Sequence, residues 1–130
     1  MGRIIVILLI HVIGDYFFQG NKLSKLKSSS FFYLLQHVAI YTSFFIVLSP
    51  LLLGLTILEG LAFGLINGVL HLAVDFFVGK FKAKYYEINE SRYVATIGID
   101  HTLHLIILIS TYMYIFPEAL NSTYSLINLN

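Results

Sequence analysis

The chain has 130 residues, of which 58% are hydrophobic and 12% are charged, and its net charge is +1. Soluble globular domains carry about 25% charged residues, so this composition excludes an ordinary soluble domain and predicts an integral membrane protein. Cysteine is absent, which excludes disulfides and thiolate metal ligands. The basic residues are confined to short loops, so the chain is expected to have no nucleic-acid partner.

Apolar stretches separated by polar loops predict an all-α fold, a polytopic membrane protein with a single domain over residues 1–130. Each stretch is close to the ~20 residues that a helix needs to cross a bilayer. We expect a bundle of four transmembrane helices, followed by an interfacial tail, with bounds near 4–19, 31–48, 55–78, 94–116 and 117–130. Pro50 predicts an uncharged turn between the second and third helices.

The basic residues predict the topology. Seven of the eight lie in residues 20–30 and 79–93. The positive-inside rule then places both loops in the cytoplasm and both termini outside. We therefore expect a multi-pass protein of the bacterial cytoplasmic (inner) membrane, with membrane lipids as partners and a homo-oligomer as one allowed state.

Three pairs of histidine and aspartate, each spaced i and i+4, lie inside the apolar stretches. An ionisable side chain at the bilayer centre costs about 2.5 to 3.5 kcal/mol on insertion scales, so such residues usually face the bundle interior and mark function. Counted from the cytoplasmic helix ends at 1.5 Å per residue, the pairs share one depth. The pairs are His11 with Asp15, His71 with Asp75, and Asp100 with His104.

Glycines on the third helix share a face with His71 and Asp75. Gly60, Gly64 and Gly68 recur at a spacing of four, as in small-xxx-small interfaces, where helix backbones approach closely. The third helix is therefore expected to be central. The first and third helices both carry His-x-x-x-Asp, which resembles a parallel repeat of two helical hairpins.

A metal site is the first functional hypothesis. Histidine at i and carboxylate at i+4 share one helical face, and imidazole plus carboxylate suits zinc, manganese or iron. We expect a divalent ion, with zinc as the first candidate. The candidate ligands are His11, His71, His104, Asp15, Asp75 and Asp100, and the three aspartates are also the candidate catalytic bases.

Other polar residues near the same depth are candidates for substrate binding. Lys22 and Lys80 would hold a phosphate at the mouth of the site. The alternative is that these lysines only set the topology and contact lipid headgroups. A lipid-like substrate or a phosphoester would fit such a mouth, which predicts a metal-dependent hydrolase facing the cytoplasm. The candidates are His37, Gln19, Asn67, Tyr41, Lys22 and Lys80.

Two alternatives stay open. Buried aspartates and histidines also form relays for cation or proton transport. Against transport, the outer half of the predicted bundle offers few polar residues to continue the path, namely Glu59, Ser110 and Thr111. The second alternative is an accessory membrane protein whose polar core only specifies helix packing.

The motifs His-x-x-Gly-Asp-x-x-x-Gln at residues 11–19, His-x-x-x-Asp at 71–75 and Asp-x-x-x-His at 100–104 carry a resemblance. The chain resembles an uncharacterised family of small bacterial and phage membrane proteins, a domain of unknown function, over nearly its whole length. A more distant similarity is to membrane-bound metal-dependent hydrolases, which also place histidines and carboxylates near the inner ends of helices. This second similarity is in residue type only, and it implies a hydrolytic metal site.

Overall fold

The computed structural model describes residues 2–17, 26–27 and 30–117, and within them the chain is helical, with no strand. The first helix, α1, covers Gly2–Val12 and continues as π-helical turns over Ile13–Phe17. The other helices are α2 at Phe31–Leu53, α3 at Ile57–Tyr85 and α4 at Glu90–Ile115.

Three of these helices, α2, α3 and α4, are long and apolar enough to cross a membrane. Only 28%, 39% and 22% of their most apolar windows are buried inside the bundle, so most of their apolar surface faces outward. Four of the five histidines and all three aspartates are buried instead, and His101 is half-buried. This arrangement, apolar outside and ionisable inside, is typical of a membrane protein. The α-helical part of α1 is shorter, with 11 residues.

The described helices pack side by side, with α3 between α2 and α4, and with α1 lying on α2 and touching α4. Successive helices run antiparallel, so the end of α1, the start of α2, the end of α3 and the start of α4 meet at one end of the bundle. The apolar core fills the other end, where Phe45, Phe63 and Leu108 are buried. The bundle therefore separates a polar end from an apolar one.

The glycine face of α3 packs closely on α2. A Cβ atom at Gly64 would lie 2.6 Å from the Ile46 side chain and 3.0 Å from the Ile46 backbone nitrogen. Gly60 faces Pro50 and Gly68 faces Thr42 in the same way. The glycines thus let the two backbones approach, as the spacing of four predicts.

The prediction that Pro50 marks a turn is wrong, because Pro50 lies inside α2. It occupies the last turn, and transmembrane helices tolerate proline when neighbouring groups satisfy the freed backbone carbonyl. Gly54 ends the helix instead, with φ of 70° in the left-handed region that glycine adopts readily. Thr56 and Glu59 then form a capping box at the start of α3, which gives Glu59 a structural role.

The cytoplasmic loop predicted at residues 79–93 is mostly helical. Helix α3 continues to Tyr85 and α4 begins at Glu90. Lys82 and Lys84 lie in the last turn of α3. There, a positive charge interacts favourably with the negative end of the helix dipole. The Asn89 side chain caps α4 by accepting a hydrogen bond from the Arg92 backbone nitrogen. Of the predicted tail at 117–130, only residue 117 is among the described residues.

Candidate metal centre

A π-helical segment positions the first aspartate. Asp15 lies in the π-helical turns that follow α1, and a π-turn adds one residue and rotates the side chains that follow it. His11 and Asp15 consequently contact different partners, although an i and i+4 spacing on a regular helix would place them together. His11 Nδ1 lies 3.2 Å from the Tyr41 hydroxyl, whereas Asp15 reaches His37.

Asp15, His37 and His71 form a buried group of three, which we call the first triad. His37 Nε2 lies 3.0 Å from His71 Nε2 and 3.1 Å from Asp15 Oδ1. His71 Nε2 lies 3.8 Å from the same Asp15 oxygen. Three atoms that can each offer a lone pair thus face one another.

His71, Asp75 and His104 form a second buried group that shares His71, which we call the second triad. Asp75 Oδ2 lies 3.5 Å from His71 Nε2, and Asp75 Oδ1 lies 3.7 Å from His104 Nε2. Oδ2 is also 3.3 Å from His37 Nε2. The two oxygens of Asp75 therefore face different histidines.

The tautomer of His104 is fixed by its backbone. Nδ1 lies 2.8 Å from the Asp100 carbonyl oxygen, which can only accept, so Nδ1 carries the proton and donates. The lone pair is then on Nε2, which is buried with no hydrogen-bond partner in the structure. A ligating histidine typically has this arrangement, with one ring nitrogen held by a second group and the other free for a metal.

Lys27 is the counter-charge of both triads. Its Nζ lies 3.0 Å from Asp75 Oδ2, 3.6 Å from Asp15 Oδ1 and 3.2 Å from His37 Nε2. Burial lowers the pKa of Lys27, but the Asp75 and Asp15 carboxylates outweigh burial and raise the pKa above its ordinary value. Lys27 is therefore an ammonium at neutral pH, and it compensates carboxylates that would otherwise be buried alone.

Asp100 stands beside the second triad. One carboxylate oxygen pairs with the Lys82 ammonium, and the other lies 3.4 Å from His104 Nδ1. The structure thus places Asp100 behind His104, on the side of the ring away from the free Nε2. Asp100 orients a histidine of the second triad and belongs to neither triad.

The structure also places the remaining candidates. Tyr41 stacks on the His71 ring with centroids 3.9 Å apart, so it holds two imidazoles through one ring and one hydroxyl. The Asn67 amide donates to the Phe63 carbonyl and accepts from the Thr111 hydroxyl. Lys80 is exposed and lies over the Phe76 ring. Gln19 and Lys22 lie outside the described residues.

Comparison with known proteins identifies the family of this chain. Residues 4–130 match the sequence model of a family described as "Protein of unknown function (DUF3307)". The chain belongs to this family. Searches of curated proteins and of solved structures each gave no match. The expectation of an uncharacterised family is confirmed, whereas the similarity to membrane-bound hydrolases stays a prediction.

Two lysines of the site were not singled out by the sequence. Lys82 follows Asp75 by seven residues, which leaves it about 20° from Asp75 around a continuous helix, so helical spacing would have found it had α3 been extended past Gly79. Lys27 follows no helical register, because it lies before α2 in the segment predicted as a loop. His37 was expected to bind substrate, yet it lies at the centre of the first triad.

Proposed function

We propose that this member of the family is a multi-pass protein of the bacterial inner membrane that binds a divalent metal ion at His71 and hydrolyses a lipid-like or phosphoester substrate. In this proposal α1 and its π-helical extension form a fourth span, both termini lie outside, and the triads lie near the cytoplasmic face. The observation that carries the proposal is the convergence of His37 Nε2, His71 Nε2 and Asp15 Oδ1 within 3.0 to 3.8 Å of one another.

The spacing of these atoms fits a coordination shell. Zinc binds imidazole nitrogen at about 2.0–2.1 Å and carboxylate oxygen at about 2.0–2.2 Å, so neighbouring ligands of a tetrahedral ion are about 3.3–3.5 Å apart. The distances in the first triad bracket that range. The donor set of nitrogen and oxygen also suits manganese or iron, so the ligand types leave the metal open among the three.

His71 belongs to both triads, and its Nε2 lone pair can serve one ion at a time. The first triad has the shorter distances, and the second has a histidine, His104, whose free nitrogen is fixed by its tautomer. Either set supplies three protein ligands, which is the number that catalytic zinc sites use while keeping one position open for water or substrate.

The chemistry follows from that open position. A bound divalent ion acts as a Lewis acid toward an ester or phosphate. Asp75 would accept the proton of the attacking water if the first triad holds the ion, because Asp75 Oδ2 lies 3.5 Å from His71 Nε2. The exposed apolar faces of the helices would contact lipid, so a lipid-like phosphoester could approach the polar end from the membrane surface.

The competing explanation is a polar core that only specifies packing, and one observation favours it. Lys27 already places an ammonium 3.0 Å from Asp75 and 3.6 Å from Asp15, so the carboxylates have a counter-charge without a metal. Under this explanation the protein binds no ion, and removing Lys27 has the same effect with or without added metal.

Elemental analysis of the detergent-purified protein distinguishes the metal site from a polar core that only specifies packing. We expect about one equivalent of zinc, manganese or iron per chain in the wild type after loading, and loss of that metal in His71→Gln. The matched control is His101→Gln, on α4, whose ring stacks on Tyr16 and belongs to neither triad. A wild type that takes up no metal would contradict the proposal.

Two further variants choose between the triads. His37→Gln should lower metal content if the first triad holds the ion, and His104→Gln should do so if the second triad holds it. Hydrolysis is tested separately with a chromogenic phosphodiester. Metal-loaded wild type should release product, and Asp75→Asn should release far less. Metal binding without any hydrolysis of phosphodiesters would leave a metal site and contradict the hydrolase.

A further inference from the structure

Lys27 reaches the first triad from the segment before α2. Its Nζ lies 3.2 Å from His37 Nε2 and 3.6 Å from Asp15 Oδ1, which are two of the three atoms of that triad. A third contact, of 3.0 Å, is made with Asp75 Oδ2, and this oxygen lies 3.5 Å from His71 Nε2. The Lys27 side chain is only 16% exposed. An ammonium group therefore lies directly beside the atoms that would ligate a metal ion.

A metal ion in the first triad would lie close to this ammonium. His37 Nε2 and Asp15 Oδ1 are 3.1 Å apart, and zinc binds such atoms at about 2.0–2.2 Å. If the Lys27 contacts stayed unchanged, these lengths would leave at most about 4.4 Å between the ion and Nζ. Positive charges at that distance repel strongly where the effective dielectric constant is low. Binding of the ion while Lys27 stays in place is therefore unfavourable.

The hydrogen bond between Lys27 and His37 leads to the same conclusion. An ammonium group has only donors, so in this bond His37 Nε2 is the acceptor. Its single lone pair is then directed at Lys27. A metal ion ligated by His37 needs the same lone pair, so the ion and the ammonium compete for one atom.

We infer that the Lys27 ammonium and a divalent metal ion are alternative occupants of the first triad, so that Lys27 is an internal competitor that lowers the metal affinity of the protein. This inference rests on the proposed function, since it concerns the same metal site. Without metal, Lys27 compensates Asp15 and Asp75. When metal binds, the flexible four-carbon stem of lysine lets the ammonium withdraw while the helices stay in place. Asp75 Oδ2, the proposed base, then loses its ammonium partner.

Lys82 provides the matched comparison. Its ammonium pairs with Asp100, which belongs to neither triad, and its side chain is 23% exposed. Lys82→Met removes a positive charge from the same end of the bundle without freeing an atom of the first triad. Comparing Lys82→Met with Lys27→Met therefore separates competition for the ligands from the general effect of a nearby charge.

The first test measures zinc affinity. The full-length protein in detergent is titrated with zinc in competition with a chromophoric chelator. We expect Lys27→Met to bind zinc at least about tenfold more tightly than the wild type, within the range usual for coupled sites. Lys82→Met should change the affinity far less. Lys27→Arg keeps the positive charge and should not show the gain.

Two results of this titration would overturn the inference. The first is a zinc affinity in Lys27→Met that is equal to that of the wild type or weaker. The second is an equal gain in Lys27→Met and Lys82→Met, because a nearby charge would then explain the effect without competition for the ligands.

The second test uses the wild type, so it does not depend on the folding of a variant. Lysines are acylated with an amine-reactive reagent, and modification of Lys27 is measured by mass spectrometry with and without zinc. We expect zinc to raise this modification several-fold, because the ammonium leaves the buried carboxylates. Lys84, which is exposed near the Tyr85 ring, should react equally in both samples. Equal or lower modification of Lys27 in the zinc-loaded protein would contradict the inference.

The two proposals fail in different ways. If the wild type takes up zinc but neither the labelling of Lys27 nor the affinity of Lys27→Met changes as expected, the competition is wrong and the metal site stands. If the wild type takes up no zinc, the proposed function itself fails. His71→Gln should lose both the zinc and the zinc-dependent labelling of Lys27. Labelling that still responds to zinc in His71→Gln would show that zinc acts elsewhere, which also contradicts the competition.

Discussion

The Nε2 atoms of His37 and His71 lie 3.0 Å apart in the interior of the bundle, and both residues are at most 2% exposed. Two neutral imidazoles can approach this closely only if one nitrogen donates a proton to the other, or if both lone pairs face a cation. Asp15 Oδ1 at 3.1 Å from His37 Nε2 favours a cation or a proton at this point.

Metal should stabilise the protein. A ligand that binds only the folded state adds about 2.7 kcal/mol when its free concentration is a hundred times its Kd. We expect zinc to raise the thermal unfolding midpoint of the detergent-purified wild type, and a chelator to reverse the rise. His71→Gln should show no such shift. Equal shifts in the variant and the wild type would place the metal elsewhere.

Lys27→Met should destabilise the metal-free protein. It leaves Asp15 and Asp75 without their ammonium partner, and removing one member of a buried ion pair costs about 3 to 5 kcal/mol. Denaturant unfolding measures the loss, with Lys84→Met as the control. The double variant Lys27→Met with Asp75→Asn should recover part of it, since the two effects share one contact. A purely additive double variant would show that the contact contributes little.

The Asn67–Thr111 hydrogen bond should affect stability alone. Thr111 Oγ1 donates to Asn67 Oδ1 at 2.8 Å and joins α4 to α3. Hydrogen bonds between membrane helices average about 0.6 kcal/mol. Thr111→Val should therefore lower the free energy of unfolding by about that amount and leave the metal content unchanged. A large loss of metal in Thr111→Val would instead connect Asn67 to the site.

The close packing of α3 on α2 makes Gly64 sensitive. A methyl group there would meet the backbone of Ile46 as well as its side chain, and overpacking of this kind costs about 1 to 3 kcal/mol. Gly64→Ala should lower the free energy of unfolding by that amount. The control is Gly98→Ala on α4, where nothing lies within 4 Å of the added methyl, and that variant should be neutral or stabilising.

The chain contains no cysteine, so single cysteines report topology without interference. Glu87→Cys, between α3 and α4, should react with a membrane-impermeant reagent only after the cytoplasmic side is opened. Leu55→Cys, between α2 and α3, should react in intact cells. Gly2→Cys at the start of α1 should behave like Leu55→Cys if α1 spans the membrane. The opposite pattern at Gly2 would leave three spans.

The sequence determined the class of the protein and the composition of its polar end. An apolar chain with few charges can bury its backbone polar groups in a membrane only as helices or a closed barrel, and the long apolar runs select helices. The i and i+4 spacing of His71 and Asp75 sets them on one face of α3 whatever surrounds it, and the glycines at 60, 64 and 68 select the face that packs on α2. These features depend on helix geometry alone.

Tertiary structure decided which of the ionisable side chains contact one another. The π-turns that rotate Asp15 toward His37 depend on how α1 packs on α2, and no local spacing reveals them. Lys27 reaches Asp75 across 48 residues of chain, so its role depends on how the segment before α2 lies over the bundle. The extension of α3 to Tyr85 brings Lys82 to Asp100 on another helix. Helical periodicity fixes directions within one helix, whereas contacts between helices depend on packing.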